Sequence, residues 1–128
     1  MARGKKIAFQ GVPGAYSHLA CSAVMPEAET LACSSFSEMI LSVQQGKADF
    51  AMVPVENSVA GRVADIHHLL PDSGLYIIGE HYQRINAMLL GVPGAKIADV
   101  KEIHSHVHAL AQSRLLMAEL GARPVQHS

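Results

Sequence analysis

The sequence predicts an α/β fold with mostly parallel strands. Short apolar runs alternate with segments of helical periodicity, the pattern of strands joined by helical crossovers. Glycine and proline punctuate the joints between them. One apolar run, residues 50–55, delivers Glu56, Asn57 and Ser58 straight from its end. An open α/β sheet presents a ligand site in this way, at the carboxyl edge of its strands.

The elements follow in order. Residues 6–10 form a short first strand, and Gly11, Pro13 and Gly14 make a turn. Ser17 is a candidate cap for a helix reaching Met25, with Leu19, Ala20, Ala23 and Val24 at helical spacing. Pro26 lies just beyond it, and residues 30–33 give a second strand. Ser35 with Glu38 three residues on is a capping-box pattern. Phe36, Met39, Ile40 and Val43 share the face of that helix, which Gly46 ends.

A third strand is expected over residues 49–55, where Pro54 lacks an N–H and limits pairing. A helix is expected over 60–70, stopped by Pro71. Residues 75–82 and 86–92 are strand-like, the second strongly apolar, and Pro93–Gly94 is a turn. Residues 100–104 form another strand. Ser105 then caps a last helix whose face is Ala109, Leu110, Ser113, Leu116, Met117 and Leu120. Gly121 ends it, and a strand begins at Arg123. On that helix Ser105, His108 and Gln112 would fall along one stripe, at i, i+3 and i+7.

Composition narrows the function classes. The 128 residues are 49% hydrophobic, enough to bury about 68% of the unfolded chain's surface in one domain. Charged residues are 16% and the net charge is −1, so nucleic acid and membrane surfaces are not expected partners. The basic start, residues 1–6, is followed by too short an apolar run for a signal peptide, and no run is long enough to span a bilayer. A cytoplasmic chain is expected, with Cys21 and Cys33 as reduced core residues without CxxC spacing. Eight histidines, with His104, His106 and His108 alternating, invite a metal. They run from a strand end into a helix start, and no HExxH or finger spacing is present, so no metal and no other cofactor is expected. Nor does a nucleophile elbow support Ser/His/Asp catalysis.

Taken by pattern alone, the candidate sites keep two readings. Gly11 to Ser17 is an ordinary Gly-Pro turn, or a place where backbone amides and a helix N-terminus meet a carboxylate. Glu56 is an acid or base, or a brace for its loop. Arg62 steers a carboxylate or pairs with Asp65. Ser105 is only a cap and Gln112 a solvated residue, or both look into a cleft.

Three segments together carry a resemblance. Val-Pro-Val-Glu-Asn-Ser-Val-Ala-Gly at 53–61, Gly-Val-Pro-Gly-Ala-Tyr-Ser at 11–17 and Ser-His-Val-His-Ala-Leu-Ala-Gln at 105–112 resemble, in order and spacing, the prephenate dehydratase family. The likeness runs from Ile7 to the end. It implies a two-lobed, type II periplasmic-binding-protein-like architecture, with residues 1–79 as the first lobe and 80–128 as an incomplete second. It implies loss of water and carbon dioxide from prephenate to give phenylpyruvate, a step toward phenylalanine, without a cofactor. It also implies catalytic roles for Asn57, Ser58 and Gln112, and substrate contacts from Gly14, Ala15, Tyr16, Ser17, Glu56, Ser105 and His106. Assembly into a homo-oligomer is expected.

Departures from the family pattern are Val107 for proline, His108 for glutamine and Ser113 for cysteine. His108 puts a titratable group near the expected cleft. The family's Thr-Arg-Phe motif, whose threonine is a candidate acid, does not occur; Thr30 is the only threonine. Neither the segment returning to the first lobe nor the regulatory ACT domain is recognised. The chain therefore reads as part of the catalytic domain, with little dehydratase activity alone. The alternative is a non-catalytic dicarboxylate-binding module of the same architecture. A third is a structural piece whose open sheet edges recruit another chain.

Overall fold

A computed structural model describes residues 3–58 and 61–127. Strand β1 (Lys6–Gln10) lies at the centre of a parallel sheet ordered β2-β1-β3, with β2 at Glu29–Cys33 and β3 at Phe50–Met52. Register aligns Ile7 with both Thr30 and Phe50, and Phe9 with both Ala32 and Met52. Being central, β1 is buried on both faces, so it reads as a continuous apolar run and not an alternating one. Ala8 packs with Cys33, Met39, Ile40, Ala48 and Ile66 on one face. Ile7 and Phe9 pack with Cys21 on the other.

Helix α1 (Tyr16–Val24) thus covers one face, while α2 (Phe36–Gln44) and α3 (Ala64–Leu69) cover the other. Both cysteines are buried and free, and burial pushes the Cys21 thiol up to about 11. The α2 cap forms as the sequence predicts: Ser35 Oγ accepts from the Glu38 N–H at 3.1 Å. The Glu38 carboxylate reaches one residue further back than a capping box requires, accepting from both Ser34 N–H and Ser34 Oγ at 2.6 Å. These two bonds, the hydroxyl's first, hold the Glu38 pKa below its ordinary value.

Several expectations are corrected. Ser17 does not cap α1: the N-cap is Ala15, which makes no side-chain cap bond. Strand β3 stops at Met52, whose pairing with Phe9 is the last of that ladder, two residues before Pro54, which has no N–H to extend it. The expected helix over 60–70 begins only at Ala64, because β5 (Gly61–Arg62) pairs antiparallel with β4 (Glu56–Asn57) first. Residue 60 itself lies outside the described residues. Residues 75–82 and 86–92 join no ladder, since no neighbouring strand among the described residues supplies partners. Leu75 packs against the core, but the other large apolar side chains of the two segments are exposed: Tyr76 is 90% exposed, Tyr82 87% and Leu90 87%.

The chain divides into two compact units, Met1–Ile85 and Asn86–Ser128. In the second unit, a single 3-10 turn at Ile97–Asp99 precedes β6 (Glu102–His106), which pairs parallel with β7 (Arg123–His127). Ladder pairing carries β6 through Ser105 and His106, one position past the expected cap. Ser105 is therefore a strand residue, and His106 caps α4 (Val107–Gln112) by accepting the His108 N–H at 3.3 Å. The expected stripe of Ser105, His108 and Gln112 does not exist, because its first member is not on the helix. The single last helix is two, with Ser113 as the junction to α5 (Arg114–Leu120). Leu110 and Met117 are its buried residues. Gly121 closes α5 in the left-handed region at φ 64°, as glycine there allows.

Candidate active site

Because β1, β2 and β3 are parallel, the chain leaves all three at the same edge of the sheet. After β1 comes the turn 11–15. Gly14 takes φ 92°, open to glycine and strained for other residues. Its conformation is fixed by polar contacts within the protein. The Gly11 N–H donates to Cys33 O at 2.9 Å, and the Ala15 N–H to Val12 O at 3.1 Å. The Gly14 N–H donates to His18 Nδ1 at 2.8 Å. The amides of Gly11, Gly14 and Ala15 are therefore engaged within the chain, and the anion-cradle reading narrows to the first turn of α1, where Tyr16 and Ser17 stand.

After β3 the backbone runs through Pro54 into the β4–β5 hairpin, which carries Glu56, Asn57 and Ser58. Its base is anchored at the Val55 carbonyl, which accepts from Val63 N–H at 3.0 Å and contacts His67 Nε2 at 3.3 Å. Glu56 stands directly opposite Arg62 across the hairpin. That cross-strand position, and not an ion pair with Asp65, is where Arg62 is found. Opposite charges facing across a strand pair support it modestly. Glu56 and Ser58 are exposed and Asn57 is half-buried, so all three stand where solvent or a ligand can reach them.

A third feature of this edge was not anticipated from the sequence. An open cleft of about 440 Å³ lies past the ends of β1 and β2, lined by Gln10, Ser35, Phe36, Ser37, Asp65, His68 and Leu69. It combines amide, hydroxyl, carboxylate and imidazole groups with an apolar wall. One signal was available: Gln10 and Ser35 sit at or just past predicted strand ends, the positions from which an α/β sheet serves a ligand. Asp65 and His68 carry no such mark, since only the packing of α3 brings them there.

In the second unit Ser105 is half-buried in β6, while His106, His108 and Gln112 are exposed. The rings of His106 and His108 lie 5.1 Å apart. On the same strand pair, His104 Nδ1 is 2.9 Å from His127 Nε2, and His104 Nε2 is 3.1 Å from Glu102. Glu102 also pairs with Arg123. Hydrogen bonding from Arg123, then from His104, holds the Glu102 carboxyl below its ordinary value. Among the described residues no group of three or more His, Cys, Asp or Glu side chains could hold a metal ion. Among them, too, no helix is long and apolar enough to cross a membrane.

A parallel sheet with polar loops gathered at its carboxyl edge defines an α/β domain of the kind that can serve a ligand from that edge. Comparison with known proteins makes the class specific. The family model described as prephenate dehydratase matches residues 7–128. A bifunctional N-acyl-homoserine lactone acylase/prephenate dehydratase of Komagataeibacter europaeus is 54% identical over 119 residues, 93% of this chain and 42% of the relative. Arogenate dehydratase/prephenate dehydratase 1 of Arabidopsis thaliana is 38% identical over 94% of this chain and 31% of the relative. The crystal structure of prephenate dehydratase from Staphylococcus aureus superposes with a TM-score of 0.80 at 25% identity, over 95% of this chain and 47% of that one. The chain belongs to the prephenate dehydratase family. It spans less than half the length of these relatives.

Proposed function

We propose that this chain contributes to decarboxylating dehydration of prephenate to phenylpyruvate. The observation that carries the reading is the family match over residues 7–128, which includes all three motifs in order. The chemistry requires two carboxylates held in a fixed pose and a proton delivered to the departing ring hydroxyl. In this reading Asn57, Ser58 and Gln112 polarise and orient the substrate, since amide and hydroxyl groups both donate and accept. The first turn of α1, with Tyr16 and Ser17 after Gly14 and Ala15, meets a carboxylate. Glu56, Ser105 and His106 complete the contacts. The architecture would be two-lobed and periplasmic-binding-protein-like, and the enzyme a cytoplasmic homo-oligomer.

Thr30, the only threonine in the sequence, lies in β2 against His18 and belongs to no Thr-Arg-Phe motif. Binding is therefore expected to outrun turnover in these 128 residues. Calorimetry with prephenate and a phenylpyruvate-release assay test this together. Heat with little turnover, weakened by Asn57→Ala, is expected. A chain that shows neither heat nor turnover would defeat the reading. Heat unaccompanied by turnover even in a longer chain carrying the Thr-Arg-Phe segment would favour a dicarboxylate-binding module instead.

A second reading comes from the acylase named in the Komagataeibacter relative. Thr30 Oγ1 lies 3.3 Å from His18 Nε2, the spacing of a nucleophile and its base. The Gly14 N–H occupies the Nδ1 lone pair, however, so the neutral ring carries its proton on Nε2 and cannot accept one there. An acylase reading needs another nucleophile, and hydrolysis of an N-acyl-homoserine lactone surviving Thr30→Ala would point to one.

A further inference from the structure

We infer that His18 is the positioning residue of the 11–17 ligand loop, and that it holds the loop only as a neutral ring of one tautomer. The inference rests on the proposed role of that loop in carboxylate binding. A backbone N–H can only donate, so the 2.8 Å contact from Gly14 requires a lone pair on His18 Nδ1. The proton of the neutral ring then sits on Nε2 and is directed at Thr30 Oγ1, 3.3 Å away in β2. The ring is fixed in a third way. It stacks on Phe9 of β1, with centroids 5.1 Å apart and planes at 4°, and Phe9 itself is 1% exposed.

One side chain therefore ties three places together: the loop at its left-handed glycine, the helix that the loop starts, and the strand beside it. No side chain caps α1, so this tie does what a cap would otherwise do for the entry of the helix. Phe9 belongs to the core, which makes the ring's plane a consequence of packing. The loop inherits that rigidity through a single hydrogen bond.

Protonation cancels the arrangement. An imidazolium donates from both nitrogens and has no lone pair for the Gly14 N–H. The groups facing the ring are neutral: the Gly14 amide, the Thr30 hydroxyl and the Phe9 ring. Of the charged groups on or beside the strands packed against α1, Glu29 pairs with Lys6 at 3.7 Å, and Asp49, just before β3, with Lys5 at 3.8 Å. Neither carboxylate is among the ring's contacts. Acidification is thus expected to release the loop, and a bound carboxylate to be lost with it.

Two near-isosteric variants separate positioning from packing. In His18→Asn the side-chain oxygen takes the place of Nδ1 and keeps an acceptor for Gly14. In His18→Gln the amide reaches toward Thr30 and leaves Gly14 without one. Amide-exchange protection of Gly14 in the isotopically labelled chain, corrected for intrinsic exchange, is expected to persist in His18→Asn and fall in His18→Gln. On acidification it should fall in the native chain and not in His18→Asn. Phenylpyruvate affinity should drop about threefold to tenfold in His18→Gln, the worth of one hydrogen bond, and recover in His18→Asn. Equal Gly14 protection in the two variants, or protection in the native chain indifferent to pH, would overturn the positioning role. A native chain with no affinity for prephenate or phenylpyruvate sinks the functional reading instead, and Gly14 protection then decides the role of His18 alone.

Discussion

The two units are built from similar parts but held by different forces. The first has a three-stranded sheet covered on both faces, with Ile7, Phe9, Cys21, Met39 and Ile66 fully or almost fully buried. In the second, two strands lie beside two short helices, and its buried hydrophobics are Leu110 and Met117. What the second unit lacks in core it carries as a polar network on β6 and β7, where Glu102, His104, Arg123 and His127 are linked. Exposed ion pairs add little stability, and a two-stranded pair is marginal without further strands or a covering layer. Cooperative folding should therefore reside in the first unit, and local opening in the second.

The largest effect that tests this difference is Phe9→Ala. Removing a fully packed ring from the first core should cost about 3–5 kcal/mol, read by urea denaturation, and should also free the His18 ring it supports. Met117→Ala should cost less, about 2 kcal/mol, because the thin second core has fewer neighbours to lose. Its loss should appear as faster amide exchange in β6 and β7 with first-unit amides unchanged. If both sets of amides loosened together, the units would be one cooperative body and the comparison would fail.

Ser35→Ala comes next. The Ser35 cap on the Glu38 N–H is worth about 1 kcal/mol, visible as a lower melting temperature of the first unit. The smallest effects are electrostatic. Glu38 and Glu102 both have folded pKa values below their ordinary 4.5. Each then stabilises the folded chain above that ordinary value and loses its contribution as pH falls through the lowered one. In acid, Glu38 should loosen the start of α2, and Glu102 the β6–β7 pair. Glu102→Gln should leave β6–β7 protection unresponsive to pH over that interval, sharpening the contrast with the hydrophobic first unit.

Local signals were legible where local chemistry decides. The Ser35 cap, the Gly121 helix end and the extent of β1 all follow from short-range rules, and the structure has them. Ser17 misled because a serine near a helix start need not be the cap; the turn bonds of Gly11, Gly14 and Ala15 put Ala15 there instead. Ser105 misled for a different reason. Its ladder to Gln126 continues the strand, and pairing with a segment about twenty residues away in sequence overrode the helix pattern. Residues 75–92 are apolar enough for strands, but a strand needs a partner, which no apolar pattern supplies.

The sequence by itself determined the α/β class, the order β1, α1, β2, α2 and β3, and the family, through three motifs whose order and spacing survive in one dimension. Tertiary structure alone decided what those motifs touch. It spent the Gly14 amide on His18, set Glu56 across from Arg62, and brought Gln10, Ser35, Asp65 and His68 to one cleft. The physical reason is range. Periodicity and capping act over a few residues, whereas a hydrogen bond's partner and a cleft's lining depend on which distant segments the sheet and its covering helices bring together.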